Sequence, residues 1–408
     1  MNSIHDARHP LPIIYVYTVV KAVCKYGLPS YIRISLEQAV QSQPDSTVIM
    51  ASNYAECAKI GEIVDAVANV VKIDITELVS NRTLEFMNAS QSMFEVDFGS
   101  ELWLTSAYRF FNLEDMMVHY NFSEIMHVEA DNLLYGNFTH LLPVLRESYP
   151  GLAATPLNAN KSFITASVFW IANLQVLKRF NDFLLDLGRN KDGAWNLYLK
   201  WLRPFGCCKQ GGIDPDESGK GIKPFAVNEM SMLAYYHHLR PEEFFLLPVV
   251  PIHNYNLNRH VCNMSSFGPL GSEIPAPTID GIWDPNSWGQ FLGGTSNKKG
   301  RDRGFSDASH IAGQAMRTSS CRPSMLCANS TTATSGSTQL MQRRLRHHHH
   351  SIIGDHSILE LATNTSLKCS TVPFVRCSDD APWTPLWNLH VHSKHTSDYK
   401  SKPCACPV

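Results

Sequence analysis

Two acidic residues follow an apolar segment at a spacing that suits metal binding. Glu129 and Asp131 lie two positions apart in the segment 127–135, at the end of a predicted strand. Side chains at i and i+2 of a strand share one face, so we expect both carboxylates to converge. Convergent carboxylates repel each other in an apolar setting, and a divalent cation such as Mg²⁺ or Mn²⁺ relieves that repulsion. The alternative interpretation is a solvated strand end with ordinary acids.

A second group of chemically capable residues lies near the end of the chain. His390, His392 and Lys394 alternate along a predicted strand and therefore share one face. A neutral imidazole can complete a metal site made by carboxylates, and a lysine can meet a phosphate. The alternative is a polar strand face whose histidines make ordinary hydrogen bonds.

Alternating strand and helix signals in the first half must position these groups. Strands are predicted over 13–17, 47–51, 124–130 and 151–155, the third ending at the acidic pair. Helices are predicted from a capping box at Ser35–Gln38, from a second cap at Asn53, over 101–119, from Asn173 to Gly188 and over 228–238. Such alternation predicts an α/β fold with a largely parallel sheet covered by helices.

Composition sets outer limits on the function. The chain has 408 residues, of which 44% are hydrophobic and 18% charged, which excludes a mostly disordered protein. Lys and Arg number 35 against 37 Asp and Glu, so we expect no nucleic-acid partner. No apolar run has the length of a membrane helix, and we expect no transmembrane segment, amino-terminal anchor or signal in this sequence.

The second half changes character. Gly, Pro, Asn and Ser dominate residues 262–306, which suggests shaped loops over an active-site face. A Ser/Thr/Asn-rich tract with four consecutive histidines then interrupts the chain. We divide the sequence into a catalytic domain over 12–320, a disordered low-complexity insertion over 322–370, and a segment over 371–406 that returns to complete the site.

Eleven cysteines and several glycosylation sequons suggest an oxidising compartment. Cysteines recur in Gly/Pro/Ser-rich segments that we expect to be exposed, where disulfides would protect them. Asn-x-Ser/Thr sequons occur at Asn81, Asn88, Asn121, Asn137, Asn160, Asn263, Asn329 and Asn364. Chance supplies some of these, but together they favour the lumen of the secretory pathway or secretion.

Three motifs together resemble the GT-A class of nucleotide-sugar-dependent glycosyltransferases, and within it a poorly characterised group. They are Glu-x-Asp-x-x-x-Tyr at 129–135, Asp-x-x-x-x-Gly-Gln-x-x-Gly-Gly at 284–294 and Leu-His-x-His-Ser-Lys at 389–394. The resemblance covers residues 12–320 and 371–406. It implies a Rossmann-like GT-A fold, with a mostly parallel central sheet flanked by helices and a loop-rich C-terminal half.

The resemblance also implies roles for named residues. The protein would use Mn²⁺ or Mg²⁺ to move a sugar from a nucleotide-diphosphate sugar to a glycan or protein acceptor. The catalytic base would be Glu229, 100 positions after Glu129, with Asp284 as its rival. The remaining assignments are Glu129, Asp131, His390 and His392 to the metal; Tyr15, Asn53 and Lys394 to the donor; and Asn160, Lys161, Trp288 and Gln290 to the substrates.

Two alternatives stay open at this point. A nucleotidyltransferase acting on sugar phosphates uses a similar sheet and metal, but the residues after Tyr17 do not form its Gly-rich, basic loop. A lumenal glycan-binding protein that kept the fold and lost turnover is the second. Metal-dependent binding of nucleotide sugars separates a transferase from a lectin-like protein. Asn53 itself also fits a simple helix cap.

Overall fold

The structure is a computed structural model of the chain. It describes residues 10–19, 24, 29–90, 100–158, 161–203, 227–250, 281–293, 310–318, 321–329, 341–343, 357–359, 369–377, 383–391 and 398–401. Within these ranges, no helix combines the length and the apolarity that a membrane crossing requires.

The first half alternates strands and helices, as the sequence predicts. The elements up to residue 202 are β1 (Leu11–Tyr17), α1 (Tyr31–Ser42), β2 (Ser46–Ser52), α2 (Ala58–Asp65), β3 (Val70–Asp74), α3 (Asn81–Ser90), α4 (Ser100–His119), β4 (Ile125–Val128), β5 (Asn132–Leu134), α5 (Leu142–Ser148), β6 (Leu152–Pro156), β7 (Ile164–Ile171), α6 (Leu174–Gly188) and α7 (Ala194–Leu202).

The second half contributes shorter elements. They are α8 (Glu229–Leu239), β8 (Phe244–Leu246), α9 (Ser287–Gly293), α10 (Ile311–Thr318), β9 (Arg322–Asn329), β10 (Met341–Arg343), β11 (Ser357–Leu359), β12 (Cys369–Arg376), β13 (Thr384–Pro385) and β14 (Asn388–His390).

A seven-stranded sheet with the order β3-β2-β1-β4-β7-β6-β8 forms the centre of the fold. Strands β3, β2, β1 and β4 pair in parallel, and so do β6 and β8. Only β7 runs against its neighbours in this sheet, pairing antiparallel with both β4 and β6. The predicted α/β, Rossmann-like fold with a mostly parallel sheet is confirmed by this strand order.

Helices bury both faces of the sheet, which explains why its strands are apolar along their whole length. On β1, Ile14 packs into a core that α4, α6 and α8 cover, with Phe110 and Phe180 among its members. Its neighbour Ile13 faces the opposite core under α1, α2 and α5. Successive residues of one strand therefore serve two separate cores.

The sequence signals predict that a helix exists better than they predict the residue at which it begins. The Asn173 carboxamide accepts hydrogen bonds from the backbone N–H groups of Gln175 and Val176, so this predicted cap is confirmed. The box predicted at Ser35 is wrong, because α1 begins at Tyr31 and Ser35 is buried inside the helix. Asn53 precedes a short 3₁₀ helix over Tyr54–Glu56 without a side-chain capping bond, and the predicted α-helix, α2, begins only at Ala58.

A smaller body rests on the carboxyl edge of the sheet. Strand β12 pairs antiparallel with the whole of β9, and β14 pairs with β5. Residues 322–329 therefore form a strand, which corrects the predicted start of the insertion at 322. Within the remainder, β10 and β11 pair as a two-stranded ribbon; the rest of 330–368 lies outside the described residues.

Two disulfides occur in the described part of the chain. One joins Cys24 to Cys57 and the other joins Cys321 to Cys377. Cys321 and Cys377 are both buried, contrary to the exposure expected from their sequence context. Their bond joins the ends of β9 and β12, immediately beyond the paired residues Arg322 and Arg376.

Candidate active site

The candidate site lies at the carboxyl ends of β1 and β4. These two strands are parallel neighbours, with Tyr15 beside Val128. From β1 the chain continues to β2 and β3 on one side of the sheet, and it then crosses to β4 on the other side of β1. The direction of strand order therefore reverses between β1 and β4. Such a switch point opens a crevice at the carboxyl edge of an α/β sheet, where ligands bind.

The two predicted metal-binding acids leave β4 in a turn. Strand β4 ends at Val128, and the Asn132 backbone N–H donates to the Glu129 carbonyl at 3.0 Å. The Glu129 N–H donates to the Ser167 carbonyl of β7 at 3.0 Å. The acids therefore converge because the chain turns, and not through strand alternation as the sequence analysis expected.

The late strand β14 is placed beside this turn by pairing with β5. His390 lies opposite Asn132 in an antiparallel register. The Val391 N–H donates to the Asp131 carbonyl at 3.0 Å. The Asn388 carboxamide also donates to the Asn132 side chain at 2.7 Å. The tail of the chain is thus fixed against the acidic turn by backbone and side-chain bonds.

Glu129, Asp131 and His390 form a compact group of possible metal ligands. One ligand atom from each lies within 4.8 Å of the others. His390 Nε2 is 3.1 Å from Asp131 Oδ2 and 3.8 Å from Glu129 Oε2. Asp131 and His390 are each only 6% exposed. The structure therefore brings together three of the four predicted metal ligands, while His392 lies outside the described residues.

Arg109, which the sequence analysis did not single out, links two carboxylates of the site. It extends from α4, and its guanidinium lies 2.6 Å from Glu129 Oε1 and 3.5 Å from Glu229 Oε1. Its Nε donates to the Ser106 carbonyl at 2.8 Å, which fixes its orientation. A buried cation between two acids offsets their mutual repulsion. The available signal was one arginine inside the apolar segment 107–111.

These contacts set the charge of the three possible metal ligands. Burial by itself would raise the pKa of Glu129, but neighbouring groups, Arg109 foremost, outweigh burial and hold that pKa below its usual value. Burial lowers the pKa of the His390 imidazole, although Glu129 and Asp284 oppose the change. An ionised carboxylate and a neutral imidazole are the forms that bind a cation.

Glu229 lies at the first turn of α8 as a buried acid. Burial raises its pKa to about 7, against the lowering effect of Arg109, while Glu129 raises it further. Its Oε2 has no hydrogen-bond partner in the structure and is inaccessible to solvent. The cap of α8 is the Asn228 side chain, so Glu229 is not needed to start the helix.

Asp284 is held in a way that argues against the predicted role as a base. It has no exposed surface. Its Oδ1 accepts backbone N–H bonds from Asn286 and Trp288, and its Oδ2 accepts them from Gly289 and His390, all at 2.8–2.9 Å. With both oxygens occupied by backbone donors, the carboxylate has no position left for a substrate hydroxyl. We therefore correct its predicted role from catalysis to structure.

The residues predicted to bind substrate do not form one exposed surface among the described residues. Trp288 is fully buried and donates its indole N–H to the Val249 carbonyl at 2.9 Å, so stacking on a sugar is excluded in this conformation. Gln290 is 8% exposed on α9. Lys161 lies in the turn between β6 and β7 with a positive φ of 55°. Asn160 lies outside the described residues.

The residues predicted to bind the donor also need correction. Tyr15 is completely buried, and burial raises the pKa of its hydroxyl, so its side chain belongs to the core. Asn53 bonds to both backbone groups of Val19, accepting from the N–H at 2.8 Å and donating to the carbonyl at 2.9 Å. Asn53 therefore shapes the segment after β1. Lys394 lies outside the described residues.

No protein-family model matches the chain, and no curated protein matches it in sequence. Among solved structures, mouse xyloside xylosyltransferase 1 is similar at 13% identity and a TM-score of 0.41, over 59% of this chain and 86% of that protein. The galactosyltransferase LgtC is similar at 11% identity and a TM-score of 0.32, over 64% of this chain and 85% of that protein. A cytidylyltransferase from Leptospira borgpetersenii is similar at 14% identity and a TM-score of 0.28, over 46% of this chain and 73% of that protein. Scores this low carry no argument about activity.

Proposed function

We propose that this protein is a metal-dependent glycosyltransferase of the GT-A type. It transfers a sugar from a nucleotide-diphosphate sugar to a glycan or protein acceptor. The observation that carries the proposal is the group of Glu129, Asp131 and His390 at the switch point of a Rossmann-like sheet. A site at that edge suits a nucleotide ligand, and the ligand set suits the cation that accompanies a diphosphate.

The ligand set fits a divalent cation in chemistry, and the two distances to His390 also fit in spacing. Metal–oxygen and metal–nitrogen bonds of about 2.1 Å let two ligands on one ion lie up to about 4.2 Å apart. His390 Nε2 meets that limit with both Asp131 at 3.1 Å and Glu129 at 3.8 Å. Two carboxylates and one imidazole favour Mn²⁺ as well as Mg²⁺. Mn²⁺ or Mg²⁺ would be held by these three residues.

A cation held by these residues would supply electrostatic stabilisation of charge on the departing nucleoside diphosphate. The residues of the chain prepare this position. Arg109 occupies one oxygen of Glu129 and leaves the other directed towards His390. The backbone pairing of β14 with β5 holds His390 within reach of Asp131. The Asn53 bonds to Val19 fix the end of β1, which borders the crevice.

Glu229 is the proposed acceptor of the proton from the substrate hydroxyl. A base for this step is most effective when its pKa lies near the working pH. The pKa of Glu229 is raised to about 7 by burial, and its Oε2 has no other partner. Arg109 links Glu229 to the metal-binding Glu129, so base and metal belong to one continuous charged network.

We also propose that the protein works in the lumen of the secretory pathway or outside the cell. The disulfides Cys24–Cys57 and Cys321–Cys377 support this proposal, because structural disulfides persist in oxidising compartments. Digestion of the native protein with and without reductant, followed by mass spectrometry, would test both bonds in material taken from cells.

Binding and turnover can be measured separately to test the proposed activity. Calorimetric titration with Mn²⁺, then with a panel of nucleotide sugars, should show donor binding that requires the metal, and donor hydrolysis should follow it. Asp131→Asn should abolish both, because it removes a ligand that is 6% exposed. The surface variant Asp65→Asn, which affects only the pair with Lys72, is the matched control. Full turnover by Asp131→Asn, or metal-independent donor binding, contradicts the proposal.

A further inference from the structure

The buried Asp284 carboxylate joins two separate parts of the chain. Three of its four backbone donors belong to the turn that opens α9, and the fourth is the N–H of His390. Its own N–H donates to the Asn388 carboxamide at 2.9 Å, and its carbonyl accepts from the same side chain at 3.2 Å. Asp284 thus contacts both ends of β14. We call residues 284–289 the Asp284 turn.

The close approach of the Asp284 turn to β14 leaves no room for a side chain. A Cβ atom on Gly289 would lie 1.9 Å from the His390 carbonyl oxygen and 2.9 Å from Asp284 Oδ2. Real atoms do not approach so closely, so any larger residue must displace the backbone of His390. Glycine at 289 is thus explained by the position of a proposed metal ligand.

We propose that Asp284 is a positioning residue for the metal centre, and the proposal rests on the proposed function above. Strand β14 has three residues, and among the described strands it pairs only with β5. Such a short strand needs additional bonds to keep one position. Asp284 supplies them at the N–H of the ligand residue itself. In this proposal, the His390 imidazole is positioned by a carboxylate that bonds to the His390 backbone and is not itself a metal ligand.

Asp284→Asn tests this role, because an amide cannot accept at both positions and its NH₂ group would face backbone donors. Gly289→Ala tests it independently through the steric contact with His390. Asn173→Ala is the matched control, since it removes two backbone N–H bonds at the start of α6. All three full-length variants are compared for the Mn²⁺ dissociation constant and for hydrogen exchange of residues 386–391.

Asp284→Asn and Gly289→Ala should weaken Mn²⁺ binding about 10–100-fold, the usual effect of losing an outer-shell partner, and should accelerate exchange of the His390 amide. The control should change neither. If the wild type binds no Mn²⁺, the proposed metal site fails, but the exchange measurement still decides the role of Asp284. Unchanged exchange at His390 in folded Asp284→Asn and Gly289→Ala overturns the proposal.

A separate observation concerns the glycosylation sequons. At Asn81 the partner Thr83 is buried and donates to Asp115, and at Asn88 the partner Ser90 is buried. Asn137 donates to Asp45 and accepts from the Thr139 N–H, so its amide is engaged. A glycan at Asn137 would cost the hydrogen bond to Asp45, and at Asn81 and Asn88 the hydroxyl residue of the sequon is inaccessible once the chain has folded.

The sequon at Asn121 is instead exposed. Asn121 and Ser123 are both exposed in the turn between α4 and β4, where Asn121 adopts a positive φ of 54°. This turn precedes β4, whereas the proposed active site follows it, so a glycan here leaves the crevice accessible. We infer that Asn121 carries an N-linked glycan. The transfer joins Nδ2 to the anomeric carbon of a lipid-linked oligosaccharide, expels the lipid diphosphate and releases one amide proton.

Expression of the full chain in animal cells and enzymatic deglycosylation in H₂¹⁸O would test the inference by mass spectrometry. Asn121 should appear as ¹⁸O-labelled aspartate, and Asn121→Gln should remove one glycan from the intact mass. Asn137→Gln is the control and should leave the glycan count unchanged. Unlabelled Asn121 in the wild type overturns the inference, independently of any result on sugar transfer.

Discussion

Replacing Glu229 by glutamine removes a carboxylate that the fold keeps almost entirely out of water. The side chain is placed in the core at the start of α8, 5% exposed, with Arg109 as its nearest opposite charge. Glutamine has the same size and resembles the protonated acid. The variant should therefore be tolerated where the wild-type acid is protonated, and should gain stability relative to the wild type where the acid is ionised.

The expected size follows from the pKa. Burial raises the pKa of Glu229 from 4.5 to about 7. A folded-state pKa above the unfolded value means that the native state holds the proton more tightly, so this contribution to stability is complete below pH 4.5 and is lost as the pH rises through 7. At about 1.4 kcal/mol for each pH unit, the loss amounts to about 3 kcal/mol.

Urea unfolding of the wild type and Glu229→Gln, with a chelator present, measures this loss directly. The difference in unfolding free energy should move by about 2.5 kcal/mol in favour of the variant between about pH 5 and about pH 8. Other titrating groups occur in both proteins and cancel. Glu243→Gln is the control, because the Arg179 and Tyr236 bonds outweigh burial and lower the pKa of Glu243, which places its effect below this range.

Parallel stability curves for wild type and Glu229→Gln would refute the reasoning. They would mean that the acid is ionised at neutral pH in the folded protein, with water or a rearranged Arg109 compensating for burial. The same result would remove the argument that Glu229 has a pKa suited to a base, since that argument depends on the same burial.

Two further perturbations have defined outcomes. Arg109→Met should destabilise the protein by about 3–5 kcal/mol in urea unfolding, because it leaves Glu129 and Glu229 buried without their shared cation; a loss below about 1 kcal/mol would contradict the described network. Replacing both Cys321 and Cys377 by serine removes a disulfide that joins residues 56 positions apart. By the loop-entropy relation this should lower the free energy of unfolding by about 4 kcal/mol, as measured by thermal unfolding under oxidising conditions. Under reducing conditions, the variant and the wild type should be equally stable.

The sequence predicted the fold class because the parallel strands are apolar and alternate with clear helix signals. It missed β7, although this strand lies between β4 and β6 in the sheet. All eight residues of β7 are buried, so the strand lacks the alternation that marks a half-exposed strand. Strand position and direction depend on long-range pairing, which no local pattern records.

The three proposed ligands were singled out from the sequence, whereas their supporting residues were not. Residue type and the motifs that resemble GT-A glycosyltransferases pointed to Glu129, Asp131 and His390; the structure places them together, and their role as metal ligands stays a prediction. Arg109 and the true environment of Asp284 were missed, because both depend on which backbone groups surround them after folding. A carboxylate in a Gly-rich segment has the same sequence signature whether it accepts a substrate proton or four backbone N–H groups.

The hydrogen bond between His390 and Asp131 joins residues that are 259 positions apart. Closing so large a loop costs entropy that only a nearly complete fold can offset, so we expect these side chains to meet late in folding. Until then, Asp131 lacks its contact with the His390 imidazole. If the proposed metal site exists, metal binding would therefore report that β14 has docked, and a partly folded chain would lack the proposed activity.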